Sequence, residues 1–290
     1  MKILYIGVFD SNRKSTNTSQ LLSLKRAGAQ VSGYNYKDKA EKLGFVERDR
    51  DLVNLVRSRD FDLVLYSKCN LLSYDVFENI KQQTTTAMWF MDPLQTYDAE
   101  MREKTKLVDH FYCDKMNVLR EALKVNPQSH RVCEGYDEDV DRPVEDVNKV
   151  YDVSFIGGIY GDRMTYISSM SRPVKIITNA YAKEHAVSVA RSKINLNLCT
   201  SGGASDRVYK IMAAGGFLIT DDWDGRKEDF VDGEDLVIFN DIEDLNKKIE
   251  YYLSNPAAAD KIASTGHKKV QRFTRLNWAQ DIIRLTACTP

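Results

Sequence analysis

Arg207 and Lys210 stand three residues apart, directly after the Ser/Gly loop made of Ser201, Gly202, Gly203, Ala204, Ser205 and Asp206. At helical spacing both cations project from one side of a first turn. Val208, Ile211 and Met212 are left to face a core. A glycine-rich loop feeding a helix N-terminus presents backbone N–H groups and the positive dipole end outward, which suits a phosphate. Two cations beside such amides make a seat for a diphosphate. The flanking residues frame it as strand–loop–helix–strand, with Ile194, Leu196 and Leu198 alternating before the loop and GFLIT after the helix. The plain alternative is the same unit with a solvated basic face.

A second turn of similar character, GGIYGDR, ends at Arg163. The adjacent Gly157 and Gly158 let backbone approach a ligand closely. Among the acids, Asp92 closes the apolar strand TAMWFM just before Pro93, where a strand-end carboxylate can orient or deprotonate an acceptor hydroxyl. Asp10 and Ser11, after the first strand, are weaker candidates of the same kind. Ser15, Thr16, Asn17 and Thr18 read first as a helix cap.

Asp222 and Asp224 have an Asp-x-Asp spacing that could hold Mg²⁺ or Mn²⁺. Their place after a strand reads instead as a turn. The four histidines (His110, His130, His185, His267) are scattered, so no metal-binding spacing occurs. The sequence thus predicts no metal site.

Strands must position these groups. The first half reads as a strand over 2–8, a polar loop, a helix over 18–28 and a strand over 31–36. Helices over 47–59, 73–82, 98–108 and 115–124 then alternate with strands over 62–67, 86–91, 110–114 and near 130–133. The second half opens with a strand over 151–158 and continues with helix 161–169, strand 174–179, helix 183–191 and the loop segment. After strand 236–240 come helices over 242–253, 256–270 and 276–285. The last helix carries Trp278, Ile282 and Leu285 on one stripe. Such alternation predicts parallel sheets covered on both faces. The acidic segment 134–149 lacks apolar periodicity and reads as a solvated linker.

Bulk properties narrow the partners. The 290 residues favour two domains, and a net charge of −1 with no polybasic arm argues against a purely electrostatic nucleic-acid or membrane binder. Five widely spaced cysteines without a CxxC pair fit a reducing cytoplasm. The opening apolar run is too short for a signal peptide, and IMAAGGFLIT is about half a membrane span. A cytoplasmic protein without a membrane span is expected.

With these residues in place, the C-terminal half resembles the spore-maturation CgeB-like group of GT-B glycosyltransferases. The matching blocks are DVSFIGGIYGDR (152–163), SKINLN (192–197), SDRVYKIMAAGGFLITDD (205–222), FVDGEDLVIFNDIEDLNKKIEYYLSNP (230–256) and IASTGHKKV (262–270). The N-terminal half matches more loosely, through its first strand and MWFMDPLQTYD (88–98).

The resemblance implies an α/β GT-B fold: two Rossmann-like domains with parallel sheets facing a cleft, and a C-terminal helix crossing back. Residues 1–140 would form the acceptor domain, 150–274 the nucleotide-sugar domain and 275–290 the crossover helix. It also implies transfer from a nucleotide-diphosphate sugar, a UDP-sugar first, without a catalytic metal or other cofactor. Helix-end amides and Arg/Lys must then neutralise the leaving diphosphate.

On this reading Asp92, Arg207 and Lys210 are catalytic. Gly157, Gly158, Arg163, Ser201, Gly202, Gly203, Ser205, Asp206, Arg207 and Lys210 bind the donor. One departure stands out. The position of Lys210 is usually a glutamate (an Arg-x-Phe-Glu pattern) that holds the nucleotide ribose. A lysine cannot accept hydrogen bonds from ribose hydroxyls. Asp206 is the available replacement, unless it serves as the helix N-cap.

The acceptor is open among DNA, saccharide and protein. Viral enzymes of this compact fold glycosylate hydroxymethylated DNA bases, and Arg13, Lys14, Lys25 and Arg26 near the first loop are the cations that would meet DNA phosphates. A rival class is a non-catalytic glycosyltransferase-like binding module that lost its ribose carboxylate at Lys210. A nicotinamide-dependent oxidoreductase fits less well, since the first strand is followed by Gly7 alone rather than by GxGxxG.

Overall fold

The computed structural model describes residues 1–11, 13–199 and 205–287. Two compact units emerge: Met1–Glu134 with Arg275–Pro290, and Gly135–Thr274.

Unit 1 is a six-stranded sheet in the order β2-β1-β3-β4-β5-β6, every pairing parallel. Its strands are β1 (Lys2–Gly7), β2 (Gln30–Asn35), β3 (Leu63–Ser67), β4 (Thr85–Phe90), β5 (His110–Cys113) and β6 (Ser129–Arg131). Helices α1 (Thr16–Arg26), α2 (Tyr36–Leu43), α3 (Phe45–Arg57), α4 (Tyr74–Lys81), α5 (Ala99–Lys106) and α6 (Met116–Ala122) connect them.

Strand residues alternate between two cores, as a two-sided sheet requires. Leu4, Ile6, Val64, Tyr66, Met88 and Phe90 enter one, while Ile3, Tyr5, Leu63, Leu65 and Trp89 enter the other. The second core is completed by the last helix, α13 (Arg275–Ala287), whose Trp278 lies edge-on to Trp89 at 5.6 Å. Burying Ile282 on the same stripe contributes roughly 1.5–3 kcal/mol. The crossing-back of the tail is therefore a packing event, driven by the apolar stripe of α13.

Unit 2 is a five-stranded parallel sheet, β11-β10-β9-β7-β8. Its strands are β7 (Tyr151–Ile156), β8 (Lys175–Ile177), β9 (Ser192–Asn197), β10 (Leu218–Asp221) and β11 (Val237–Phe239). Helices α7 (Arg163–Ser168), α8 (Lys183–Ala190), α9 (Asp206–Ala213), α10 (Arg226–Asp229), α11 (Ile242–Ser254) and α12 (Pro256–Val270) complete it. Val208, Ile211 and Met212 of α9 are buried, as their spacing predicts.

Both sheets reverse direction beside their first strand, so each unit has a switch point where strand ends open a crevice. In unit 1 it lies between β1 and β3, in unit 2 between β7 and β9.

Three expectations need correction. Helix α1 starts two residues earlier than periodicity suggests, because Ser15 caps it by accepting from the Asn17 N–H at 3.3 Å. Helix α2 escaped notice because only Tyr36 of its eight residues is buried, leaving no apolar stripe to read. The acidic run after residue 134 is not simply solvated. Glu134, Asp137 and Asp141 are buried, and the Asp137 N–H donates to the Asp141 carboxylate at 3.0 Å. Carboxylates there build a turn rather than face water.

Among the described residues, no helix is long and apolar enough to cross a membrane.

Candidate functional site

At the switch point of unit 2, β7 is followed at once by Gly157, with φ of +145°. That backbone conformation favours glycine, and space demands it as well. A Cβ there would lie 2.5 Å from Nη2 of Arg207. The Arg207 guanidinium therefore rests close against the strand end. It donates from Nε to the Ile156 carbonyl at 2.6 Å and from Nη1 to Oδ1 of Asn197 at 2.7 Å. Ser205 donates to the same Asn197 oxygen at 3.0 Å.

Arg163 opens α7 and reaches the same edge. It donates from Nε to the Leu198 carbonyl at 3.2 Å and from Nη1 to the Gly158 carbonyl at 2.8 Å. The guanidinium carbons of Arg207 and Arg163 lie 4.7 Å and 5.5 Å from the Phe155 ring centre. Two cations thus share one aromatic ring at the ends of β7 and β9.

The electrostatics follow. Burial pulls the Arg207 guanidinium down to about 10, and the like charge of Arg163 adds to the effect. Arg163 is lowered too, again chiefly by burial. The carbonyls and Asn197 oxygen that hold these guanidiniums are neutral, and the carboxylates of Asp206 and Asp221 offset their charge in part. An anion seated here would relieve both the desolvation and the repulsion.

Lys210 takes a different course from Arg207. Its Nζ pairs with Asp206 at 2.6 Å, one helical turn back. Ser205, not Asp206, holds the N-cap position, and Asp206 is the first helical residue. The Asp206 carboxylate lies on the first turn of α9, where it pairs with Lys210. Below them His185 on α8 is buried, and its Nδ1 has no hydrogen-bond partner. Burial first, and then the charge of Lys210, push it down to about 3, so it stays neutral. Ser201, Gly202 and Gly203 of the predicted loop lie outside the described residues.

The Asp-x-Asp turn is engaged structurally. Asp222 takes a two-pronged contact from Arg226, at 2.9 Å and 3.1 Å, and that pairing holds its carboxyl below the usual range. Trp223 is buried. Among the described residues no cluster of His, Cys, Asp and Glu is arranged to hold a metal ion.

In unit 1, Asp92 lies just beyond the end of β4 and forms an ion pair with Lys68, just beyond the end of β3. At the β1/β3 switch point Asn17 accepts from Ser67 at 2.7 Å and from Tyr5 at 3.2 Å. Asp10 is spent on its own loop, accepting from the backbone N–H groups of Lys14 and Ser15. His110 is buried and stacks on Tyr112, a structural role. Lys25 and Arg26 occupy the last turn of α1, while Arg13 and Lys14 precede its first. About ten residues of helix, roughly 15 Å, separate the two pairs, so they do not form one patch near the loop.

Of the residues singled out in the sequence, the structure brings Gly157, Gly158, Arg163, Ser205 and Arg207 together at one strand-end edge. It missed Asn197, Phe155 and Lys68. Asn195 and Asn197 were legible as a signal, since two amides inside an otherwise apolar buried strand need partners. Phe155 was indistinguishable from core.

Two parallel units with reversed strand order, a tail helix returning to the first and a cationic strand-end crevice in the second define a GT-B fold. Residues 142–284, just under half of the chain, match the family model described as glycosyl transferase-like. No curated protein matches.

Among solved structures, the chain is similar to HepE of Anabaena in complex with UDP-glucose, with a TM-score of 0.76, 12% identity and 100% of both chains covered. Sucrose-phosphate synthase of Thermosynechococcus elongatus gives a TM-score of 0.72 at 14% identity, covering 99% of this chain and 98% of that one. An alpha-glucosyltransferase in complex with UDP and a 13-mer DNA containing an HMU base gives 0.67 at 10% identity, covering 99% of each. At such identities the likeness carries the fold, and function must be argued from the site.

Proposed function

We infer that the protein is a nucleotide-sugar-dependent glycosyltransferase that moves a sugar from a nucleotide-diphosphate donor, a UDP-sugar first, to an acceptor hydroxyl. The observation that carries this is the pair of guanidiniums, Arg207 and Arg163, set against Gly157 and Gly158 at the unit 2 switch point. The order of motifs over 152–270 supports a place in the CgeB-like group.

In the reaction, the acceptor oxygen bonds to the anomeric carbon as the bond from that carbon to the diphosphate oxygen breaks. The diphosphate leaves with the electron pair, and the hydroxyl proton passes toward Asp92. Arg207 and Arg163 meet the growing negative charge, so the transition state is stabilised more than the bound donor. The predicted loop residues Ser201, Gly202 and Gly203 add backbone N–H groups, and Lys210 adds charge one turn along α9. Asp206, steadied by Lys210, takes the ribose hydroxyls in place of the usual glutamate. The two arginines do the work that a metal would otherwise do. The acceptor is a hydroxyl of a saccharide, a protein or a modified DNA base.

A thermal-shift panel of UDP, GDP, ADP, CMP and TDP with their common sugars, with and without Mg²⁺, tests the reading. A metal-independent shift selective for one diphosphate is expected. A flat panel favours the non-catalytic module instead.

A further inference from the structure

The turn after β3 carries backbone strain that its surroundings hold in place. Lys68 and Cys69 are consecutive non-glycine residues with φ of +61° and +55°. Each such residue costs about 1–2 kcal/mol relative to glycine, and such strain persists only where the surroundings over-determine it. They do so here. Cys69 is wholly buried. Lys104, buried on α5, donates to the Asn70 carbonyl at 2.7 Å and reaches the Cys69 carbonyl at 3.5 Å. Arg48, buried on α3, donates to the Leu71 carbonyl at 2.6 Å. Two interior cations from two helices thus clamp three successive carbonyls of one turn.

The result is the placement of a single side chain. Lys68 emerges from the strained position with its ammonium on Asp92, and both side chains are about one-third exposed. The backbone beside Asp92 is fixed from the other direction, since Lys115 donates to the Met91 carbonyl at 2.6 Å. A carboxylate at a strand end with a small side-chain barrier would otherwise sample several rotamers. Held by Lys68, it presents one geometry, and the pair offers a hydroxyl both an acceptor and a donor.

We propose that Lys68 is a positioning residue for Asp92, and that the clamped left-handed turn exists to aim it. The inference rests on the reading of Asp92 as the acceptor-side carboxylate. Lys68 fixes the orientation in which Asp92 receives the hydroxyl proton.

The test compares the parent with Lys68→Gly, Lys68→Met, Lys68→Arg and Asp92→Asn. Three readouts are taken: UDP affinity by calorimetry, UDP-glucose hydrolysis with water as the acceptor, and melting temperature. Positioned proton transfer is worth about 10²–10⁴-fold. The glycine and methionine variants should therefore lose about 10–100-fold in kcat, with UDP affinity within about twofold of the parent. Lys68→Gly relieves the left-handed strain, so its melting temperature should hold or rise while its rate falls. Lys68→Arg should recover most of the rate.

A merely structural Lys68 would give the opposite linkage, with rate and melting temperature falling together. That result, or parental turnover in Lys68→Met, overturns the proposal. A parent that binds UDP but releases no glucose, or an Asp92→Asn variant at parental rate, overturns it together with the role of Asp92. Failure of the parent to bind UDP strikes instead at the glycosyltransferase reading.

Discussion

The two units share a strand order and furnish it oppositely. In each, the first strand ends in or runs directly into a glycine against which a helix side chain rests. At Gly7 a Cβ would lie 2.7 Å from the Asn17 amide nitrogen, and at Gly157 it would lie 2.5 Å from the Arg207 guanidinium. Around Gly7 the groups are neutral or charge-balanced: Asn17, Ser67 and Tyr5 bond one another, and Lys68 is matched by Asp92. Around Gly157 two guanidiniums share one ring and are held by neutral carbonyls and an amide. A crevice of neutral and paired groups suits neutral hydroxyls, whereas two adjoining guanidiniums with neutral direct partners suit an anion. The two crevices thus differ in their side chains on a common backbone plan.

The sharpest way to break that comparison is to remove the charge from unit 2. Arg207→Ala deletes a half-buried cation that would make charge-assisted hydrogen bonds to a diphosphate, each worth about 1.5–3 kcal/mol. UDP affinity measured by calorimetry should drop roughly 10–150-fold, by about 1.5–3 kcal/mol. Undiminished affinity would mean that the guanidinium pair is structural and the donor seat lies elsewhere.

A paired substitution at the two glycines asks whether the likeness is geometric alone. Gly157→Ala meets both a crowded guanidinium and a φ of +145°, so it should cost about 1–3 kcal/mol of stability and also weaken UDP binding by displacing Arg207. Gly7→Ala meets the Asn17 amide without a left-handed backbone. It should cost about 1–2 kcal/mol and leave UDP affinity unchanged. Urea denaturation and calorimetry on both variants decide the matter. Equal losses of UDP affinity would erase the distinction between the units.

Much of this was legible beforehand, for physical reasons that differ by region. Strands such as Ile3–Ile6 and Leu63–Tyr66 are buried on both faces, so their apolar runs announce a covered parallel sheet. Arg163, Arg207 and the glycine pair stood out in the sequence because glycines at strand ends mark close backbone approach, and the structure places both cations against them. The direction each side chain takes was not. Arg207 and Lys210 share a helical face by spacing, yet Asn197 and the Ile156 carbonyl draw the arginine inward while Asp206 holds the lysine on its own helix. Such choices depend on strands far away in sequence. Lys68 was invisible for a related reason: left-handed backbone at a lysine leaves no compositional trace, unlike glycine.

Lys210 supplies the smallest expected effect and the finest discrimination. Its pair with Asp206 is partly exposed, at 24% and 28% for the two side chains, and spans four residues along one helix. Pairs of this kind are worth about 0.3–0.5 kcal/mol, so Lys210→Ala should barely change stability. If Lys210 acts mainly by steadying Asp206, UDP affinity should fall only about two- to threefold, with Asp206→Ala costing more than Lys210→Ala, because a hydrogen bond to a charged group is worth about 1.5–3 kcal/mol. If the ammonium instead sits directly on the diphosphate, Lys210→Ala should approach the loss seen for Arg207→Ala, and Asp206→Ala should cost less than it. Calorimetry of the three variants with UDP and with uridine separates these cases, because uridine retains the ribose and lacks the phosphates. A Lys210→Ala penalty that disappears with uridine assigns the lysine to the diphosphate. One that persists with uridine assigns it, through Asp206, to the ribose, and with that the departure from the usual glutamate becomes a relocation of the carboxylate by one helical turn.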